Sequence, residues 1–138
     1  MLIILPFQTW AWEYNPSLGF GLKYGGIAGF QAALSTEKHN LRAAAGFFGI
    51  SAGYDYKFSN NISLGATTGK HADVLSEFEA HTLNITYFVT GKYSQGWNVS
   101  VDIGKQRCTR ECIDDDLNDT DKDQEFTDLT WFSLGYSF

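Results

Sequence analysis

From Leu18 to Phe138, apolar residues return at every second position over one segment after another. A period of two belongs to β-structure, where successive side chains leave opposite faces of the strand. In the first segment Leu18, Phe20, Leu22, Tyr24, Phe30 and Leu34 share one phase, and Gly19, Gly21, Lys23, Gly25 and Gln31 fill the other. Within 41–58, Ala44, Phe48, Ile50, Ala52, Tyr54, Tyr56 and Phe58 alternate with Gly49, Ser51, Gly53, Asp55 and Lys57. The later segments are cleaner: Leu83, Ile85, Tyr87 and Val89, then Trp97, Val99, Val101 and Ile103, then Phe132, Leu134, Tyr136 and Phe138. The best candidate for helical spacing, 72–80, is short and polar. An all-β chain is expected.

The polar phase decides which face is inside. A soluble sandwich or lipocalin-like barrel buries its apolar phase and carries Lys and Glu outward for solubility and edge protection. Here the polar phase is Gly, Ser, Thr and Asn with an occasional Asp, Lys or Gln. Such small groups suit a narrow enclosed lumen. Charged residues make up 19% of the chain, against roughly 25% in an average soluble domain. Aromatics stand at strand ends, at Tyr54, Tyr56, Phe58, Tyr87, Trp97, Tyr136 and Phe138, as the interfacial girdles of a lipid-facing barrel require. The expected fold is an antiparallel up-and-down transmembrane β-barrel. Leu64, Ile85, Val101 and Leu134 would face lipid, and Ser63, Thr86 and Ser100 the lumen. Connections alternate between short (59–61, 92–96) and long (70–79, 108–125), which puts the long acidic loop outside the cell.

Length allows one domain, and no run approaches the ~20 apolar residues of a spanning helix. Residues 1–11, an apolar stretch ending in Thr9-Trp10-Ala11, read as the tail of a secretory signal peptide, leaving 12–138 as a single barrel domain. Alternation of Trp10, Trp12 and Tyr14 also allows a first strand over 7–14. The formal net charge is −6, and Asp114–Glu125, with seven acids and one lysine, accounts for all of it. The remainder is neutral and has no basic face for phosphates, which argues against nucleic acid as a partner.

The terminal segment Thr127-Asp128-Leu129-Thr130-Trp131-Phe132-Ser133-Leu134-Gly135-Tyr136-Ser137-Phe138 resembles the closing strand of Gram-negative outer-membrane β-barrel proteins. The resemblance implies residence in the bacterial outer membrane, contact with its lipid, and recognition of the terminal Phe by the barrel-assembly machinery. Barrels of that family start at eight strands. Taking 18–35 and 41–58 as single strands gives six. Splitting the first at Gly25-Gly26 and counting 7–14 restores eight, the count favoured here, although the phase runs unbroken through the proposed turn; six long strands are the alternative.

Few motifs carry chemistry. Gly49-Ile50-Ser51-Ala52-Gly53 matches the nucleophile-elbow pattern but lies in an alternating strand, where Ser51 is a small lumen residue. His39, His71 and His81 are expected at outer strand ends or loops. Ser76, Glu77, Glu79 and His81 form the one set from which a lipid-modifying hydrolase could activate a serine. Cys108 and Cys112, four apart, lack the further ligands of a zinc site and could close a small loop as a disulfide in an oxidising compartment. In the acidic run, Asp116, Asp119, Asp121 and Asp123 offer oxygens for calcium, without the glycine of an EF-hand loop. The expected function is a small barrel without catalysis, serving envelope structure or surface interaction through outer loops. A lipid-modifying hydrolase and a soluble ligand-binding barrel are the alternatives.

Overall fold

The computed structural model describes residues 11–72, 76–93, 95–110 and 126–138. Eight strands follow in order: β1 (Glu13–Gly21), β2 (Gly26–Ser35), β3 (His39–Gly46), β4 (Gly49–Lys57), β5 (Ile62–Ala72), β6 (Glu77–Phe88), β7 (Gly96–Arg110) and β8 (Thr127–Ser137). Each pairs antiparallel with its sequence neighbours, and β1 pairs with β8, closing an up-and-down barrel. One rim carries the start of β1, the end of β8 and the connections 36–38, 58–61 and 89–95; we call it the terminal rim. The distal rim carries 22–25, 47–48, 73–76 and the long β7–β8 connection.

Eight strands arise by a route that differs from the expected one. Residues 11 and 12 lie outside any strand, and β1 begins only at Glu13; residues 1–10, most of the expected signal peptide, lie outside the described residues. The segment 41–58 is a hairpin rather than one strand, turning at Phe47-Phe48 between the paired Gly46 and Gly49. A two-residue turn inverts the phase: Leu41, Ala43 and Ala45 face outward before it, and Ile50, Ala52, Tyr54 and Tyr56 after it. Ala44, expected outside, is buried. The segment 18–35 is also two strands, joined by a single 3-10 turn, Leu22–Tyr24. Its phase survives because the register slips by one residue between Gly19↔Gly29 and Gly21↔Gly26, and this bulge restores the parity that the turn would have inverted. Leu22 and Tyr24 are nevertheless inside, against expectation, because the turn itself folds into the barrel.

The facing of the strands agrees with the alternation. Leu64, Ile85 and Leu134 are exposed outward, and Ser63, Thr86 and Ser100 are buried in the lumen. Val101 shares the outward register, half-buried. Two expectations need correction. The segment 70–79 is mostly strand, at the end of β5 and the start of β6, and the shortest turn, at Phe47-Phe48, shares the rim of the β7–β8 connection. The aromatics Tyr56, Phe58, Tyr87, Trp97, Tyr136 and Phe138 all sit at the terminal rim, where Tyr136 meets Trp97 and Phe138 edge-on at ring distances of 5.2 and 5.4 Å. The distal rim has Phe20, Phe47 and Phe48 on the β1–β4 side, and Phe78 and Phe126 on the β5–β8 side, where Phe78 stacks on His71 and Phe126 lies beside His81 and Arg107. The wall β5–β8 is taller, with strands of 11, 12, 15 and 11 residues against 9, 10, 8 and 9 for β1–β4.

Candidate functional site: a charge network that fills the lumen

The lumen is built from the inward phase of every strand and from the one turn that folds into it. Gly21 (φ 101°) and Gly25 (φ 81°) adopt backbone angles that side chains disfavour, letting the chain leave β1 inward and return into β2. Between them, Lys23 and Tyr24 are carried into the barrel and fully buried. Ser51 Oγ donates to the Lys23 carbonyl at 3.1 Å and so holds the turn. That is the role of the serine in the nucleophile-elbow pattern.

Asp55 is the hub. One of its oxygens accepts from Arg42 Nε at 2.8 Å and Asn40 Nδ2 at 3.0 Å, and the other from Arg42 Nη2 at 3.1 Å. This is the bidentate geometry that makes Arg–carboxylate pairs strong. The Lys23 ammonium lies 3.7 Å from the same carboxylate and donates to Thr86 Oγ1 at 2.9 Å. The Asn84 amide, oriented by the donors and acceptors around it, donates to Asp55 at 3.0 Å and accepts from Thr67 Oγ1 at 2.7 Å and Arg42 Nη2 at 2.8 Å. From Asp55 a chain of hydrogen bonds runs back through Asn40 and Ser35 to Asn15. On the other side Ser133 Oγ donates to Asp102 at 3.1 Å and accepts from the Lys23 N–H at 3.4 Å. All eight strands are tied into one network.

Four buried charges, Lys23, Arg42, Asp55 and Asp102, balance to zero. That balance is what lets a low-dielectric interior hold them, since an unpaired buried ion costs several kcal/mol. Glycines supply the room: a Cβ at Gly53 would come within 2.6 Å of the Arg42 guanidinium, and one at Gly65 would strike the Asp55 carboxylate. Toward the distal rim, Leu22, Ala80 and Leu129 cluster above the charges. Toward the terminal rim, Tyr93 from the 89–95 connection packs edge-on against Phe88 at 4.9 Å, its hydroxyl 3.3 Å from the Lys38 carbonyl. Burial pushes the Tyr93 phenol above its ordinary range. The lumen is filled at three levels.

The residues expected to carry chemistry are scattered. Asp116, Asp119, Asp121, Asp123 and Cys112 lie outside the described residues, and Cys108 lies on β7. His71 and His81 lie toward the distal rim, whereas His39 opens β3 at the terminal rim, against expectation, with Nδ1 2.6 Å from Tyr54 Oη. His81 does approach Glu79, at 3.6 Å, but its hydroxyl contact is Thr68 of β5, at 3.0 Å from Nδ1. Among the described residues no group of three His, Cys, Asp or Glu side chains could hold a metal. Sequence reasoning missed Lys23, Arg42, Asp55 and Asp102 as a site. The available signal was their isolation as single charges in the lumen phase, where a closed barrel obliges opposite charges to pair. Comparison with known proteins finds no matching family model, no matching curated protein and no matching solved structure.

Proposed function

We propose that the chain is a small bacterial outer-membrane β-barrel with a sealed lumen and without catalysis, serving envelope structure or surface interaction. The inverted distribution of polarity carries this reading. Polar side chains hydrogen-bonded to one another fill the inside, while the outside presents an apolar belt of Leu18 and Phe20, Phe30 and Leu34, Ile50 and Tyr54, Leu83 and Ile85, and Phe132 and Leu134. Water does not favour such a belt, since large contiguous apolar patches on soluble proteins are rare and mark contact surfaces. A soluble ligand-binding barrel would need the opposite arrangement. The nine residues of β4, at ~3.4 Å each and a tilt of roughly 40°, give a height of about 23 Å, close to the ~25 Å apolar band of outer-membrane barrels.

Insertion would proceed through the barrel-assembly machinery, with the distal rim facing the medium. A hydrolase reading is weaker. Thr68 sits on a strand laddered on both sides, against Ala52 and His81, so the neighbouring backbone N–H groups are spent in the sheet rather than free to stabilise an oxyanion. Fractionation with gel migration before and after heating tests the main proposal. The expected result is recovery in the outer membrane, a heat-dependent band shift and no steady conductance in planar bilayers. Recovery as a detergent-free soluble protein overturns it, and loss of a lipid acyl chain on expression, abolished in His81→Ala, would favour the hydrolase.

A further inference from the structure

The outward register of β5, β6 and β7 changes character at one level. Ala66, Leu83 and Ile103 pair across the three strands as an apolar rung, and the next outward rung toward the distal rim is Thr68, His81 and Lys105, followed by Lys70, Glu79 and Arg107. Glu79 is the one carboxylate in these two rungs. It is engaged by Arg107 at 2.8 and 3.2 Å, with His81 Nε2 3.6 Å away. Lys70 and Lys105 are exposed, and Asp128 is the cross-strand neighbour of Lys105 on β8. The tall wall thus carries a net positive band on a chain of net charge −6.

A groove of about 770 Å³ runs down the outer surface beneath this band. Small residues, Ala52 and Ala66, leave its floor low, Leu83 and Ile103 help wall it, and Thr68, His81 and Lys105 stand at its upper end. A second outer groove, about 700 Å³ between Phe30 and Leu134 on the β1–β2–β8 side, has no charged residue in its lining. Two grooves of similar size therefore differ in whether a cation closes the distal end.

We infer that the β5–β7 face binds an anionic, phosphate-bearing membrane lipid, one acyl chain lying in the groove and the headgroup phosphate meeting Lys105 and His81, with Lys70 alongside; phosphatidylglycerol serves below as its probe. The apolar length and the cationic end match the two parts of such an amphiphile, and the site is continuous with the apolar belt, so the inference rests on the bilayer-spanning reading. The test uses the full chain reconstituted into nanodiscs of phosphatidylcholine alone or mixed with phosphatidylglycerol, with retained lipids counted by native mass spectrometry after mild extraction. Folding of each variant is checked by heat-dependent migration.

The expected result is preferential retention of one phosphatidylglycerol. Lys105→Gln should lower that preference about fivefold, the size expected of one cation near an anionic headgroup. Ala66→Trp should abolish it by filling the groove, while Ala28→Trp in the uncharged groove leaves it unchanged. Insertion with equal retention of both lipids, or an unchanged preference in Lys70→Gln/Lys105→Gln, overturns the site and leaves the membrane reading standing. Displacement of the lipid by inorganic phosphate with Ala66→Trp without effect overturns it in favour of a free-phosphate site. Failure to enter either bilayer overturns the membrane reading itself.

Discussion

The ring of Tyr24 occupies the space that a side chain on Gly135 would need. Gly135 faces Gly19 across the β1–β8 seam, and a Cβ on Gly19 would approach Tyr24 Cε2 to 2.6 Å. This seam closes the barrel with four residue pairs, Ser17↔Ser137 to Phe20↔Leu134. The inward turn thus brings an aromatic ring under the two glycines where the ladder is shortest, and Tyr24 Oη anchors it by donating to Asn98 Oδ1 of β7 at 2.8 Å.

Truncating that ring should weaken closure. Tyr24→Ala is expected to cost about 3–5 kcal/mol, as for a large aromatic removed from a packed interior. Tyr24→Phe should cost about 1 kcal/mol, the loss of one buried hydrogen bond. Urea unfolding from lipid vesicles measures both, and a loss below ~1 kcal/mol for Tyr24→Ala would remove the ring from any role in the seam.

The same seam should open first. Amides of β1 paired with β8 should exchange with solvent faster than those of the β6–β7 ladder, because local opening follows the number of contacts that must break. Equal protection along both seams would contradict this order.

At the hub, Asp55→Asn leaves Lys23 and Arg42 facing each other without their shared anion. The expected cost is roughly 3–5 kcal/mol, the penalty for breaking a buried pair from one side. A double-mutant cycle with Arg42→Met separates the pair's own coupling from that penalty. Additive losses would mean that the bidentate contact contributes nothing specific.

Facing makes a sharp contrast on one strand. Ile85→Arg, outward on β6, should cost roughly 2–4 kcal/mol if it sits near the bilayer midplane. Its neighbour Thr86 points inward and accepts from Lys23 Nζ; Thr86→Val should cost about 1–3 kcal/mol by leaving the ammonium short of an acceptor. An arginine tolerated at 85 would refute the lipid-facing assignment.

Alkaline stability offers a check at the terminal rim. Burial holds the Tyr93 phenol neutral to higher pH than in the unfolded chain. Its contribution is therefore present below the unfolded value of about 10 and is lost as pH rises beyond it. Tyr93→Phe should flatten the decline in unfolding free energy above about pH 10; an unchanged slope would mean that this phenol does not report on folding.

Alternation along the chain was enough to determine strand structure, antiparallel closure and the side on which each of Leu64, Ile85, Ser63, Thr86 and Ser100 falls. Side-chain period and polarity are local properties, and a polar phase of small groups can be enclosed while an apolar phase of Leu, Ile and Phe cannot all be. Strand number was not legible, because phase records only parity. The bulge between Gly19 and Gly21 hides one turn by restoring parity, and the Phe47-Phe48 turn betrays itself only in the reversal between Ala45 and Ile50. The lumen network belonged to the tertiary structure alone. Lys23, Arg42, Asp55, Asn84 and Asp102 come from the inward turn and four strands, and in sequence each is one polar residue set apart from the others. Only the register that closure imposes brings them within hydrogen-bond reach, and only there does burial oblige their charges to cancel.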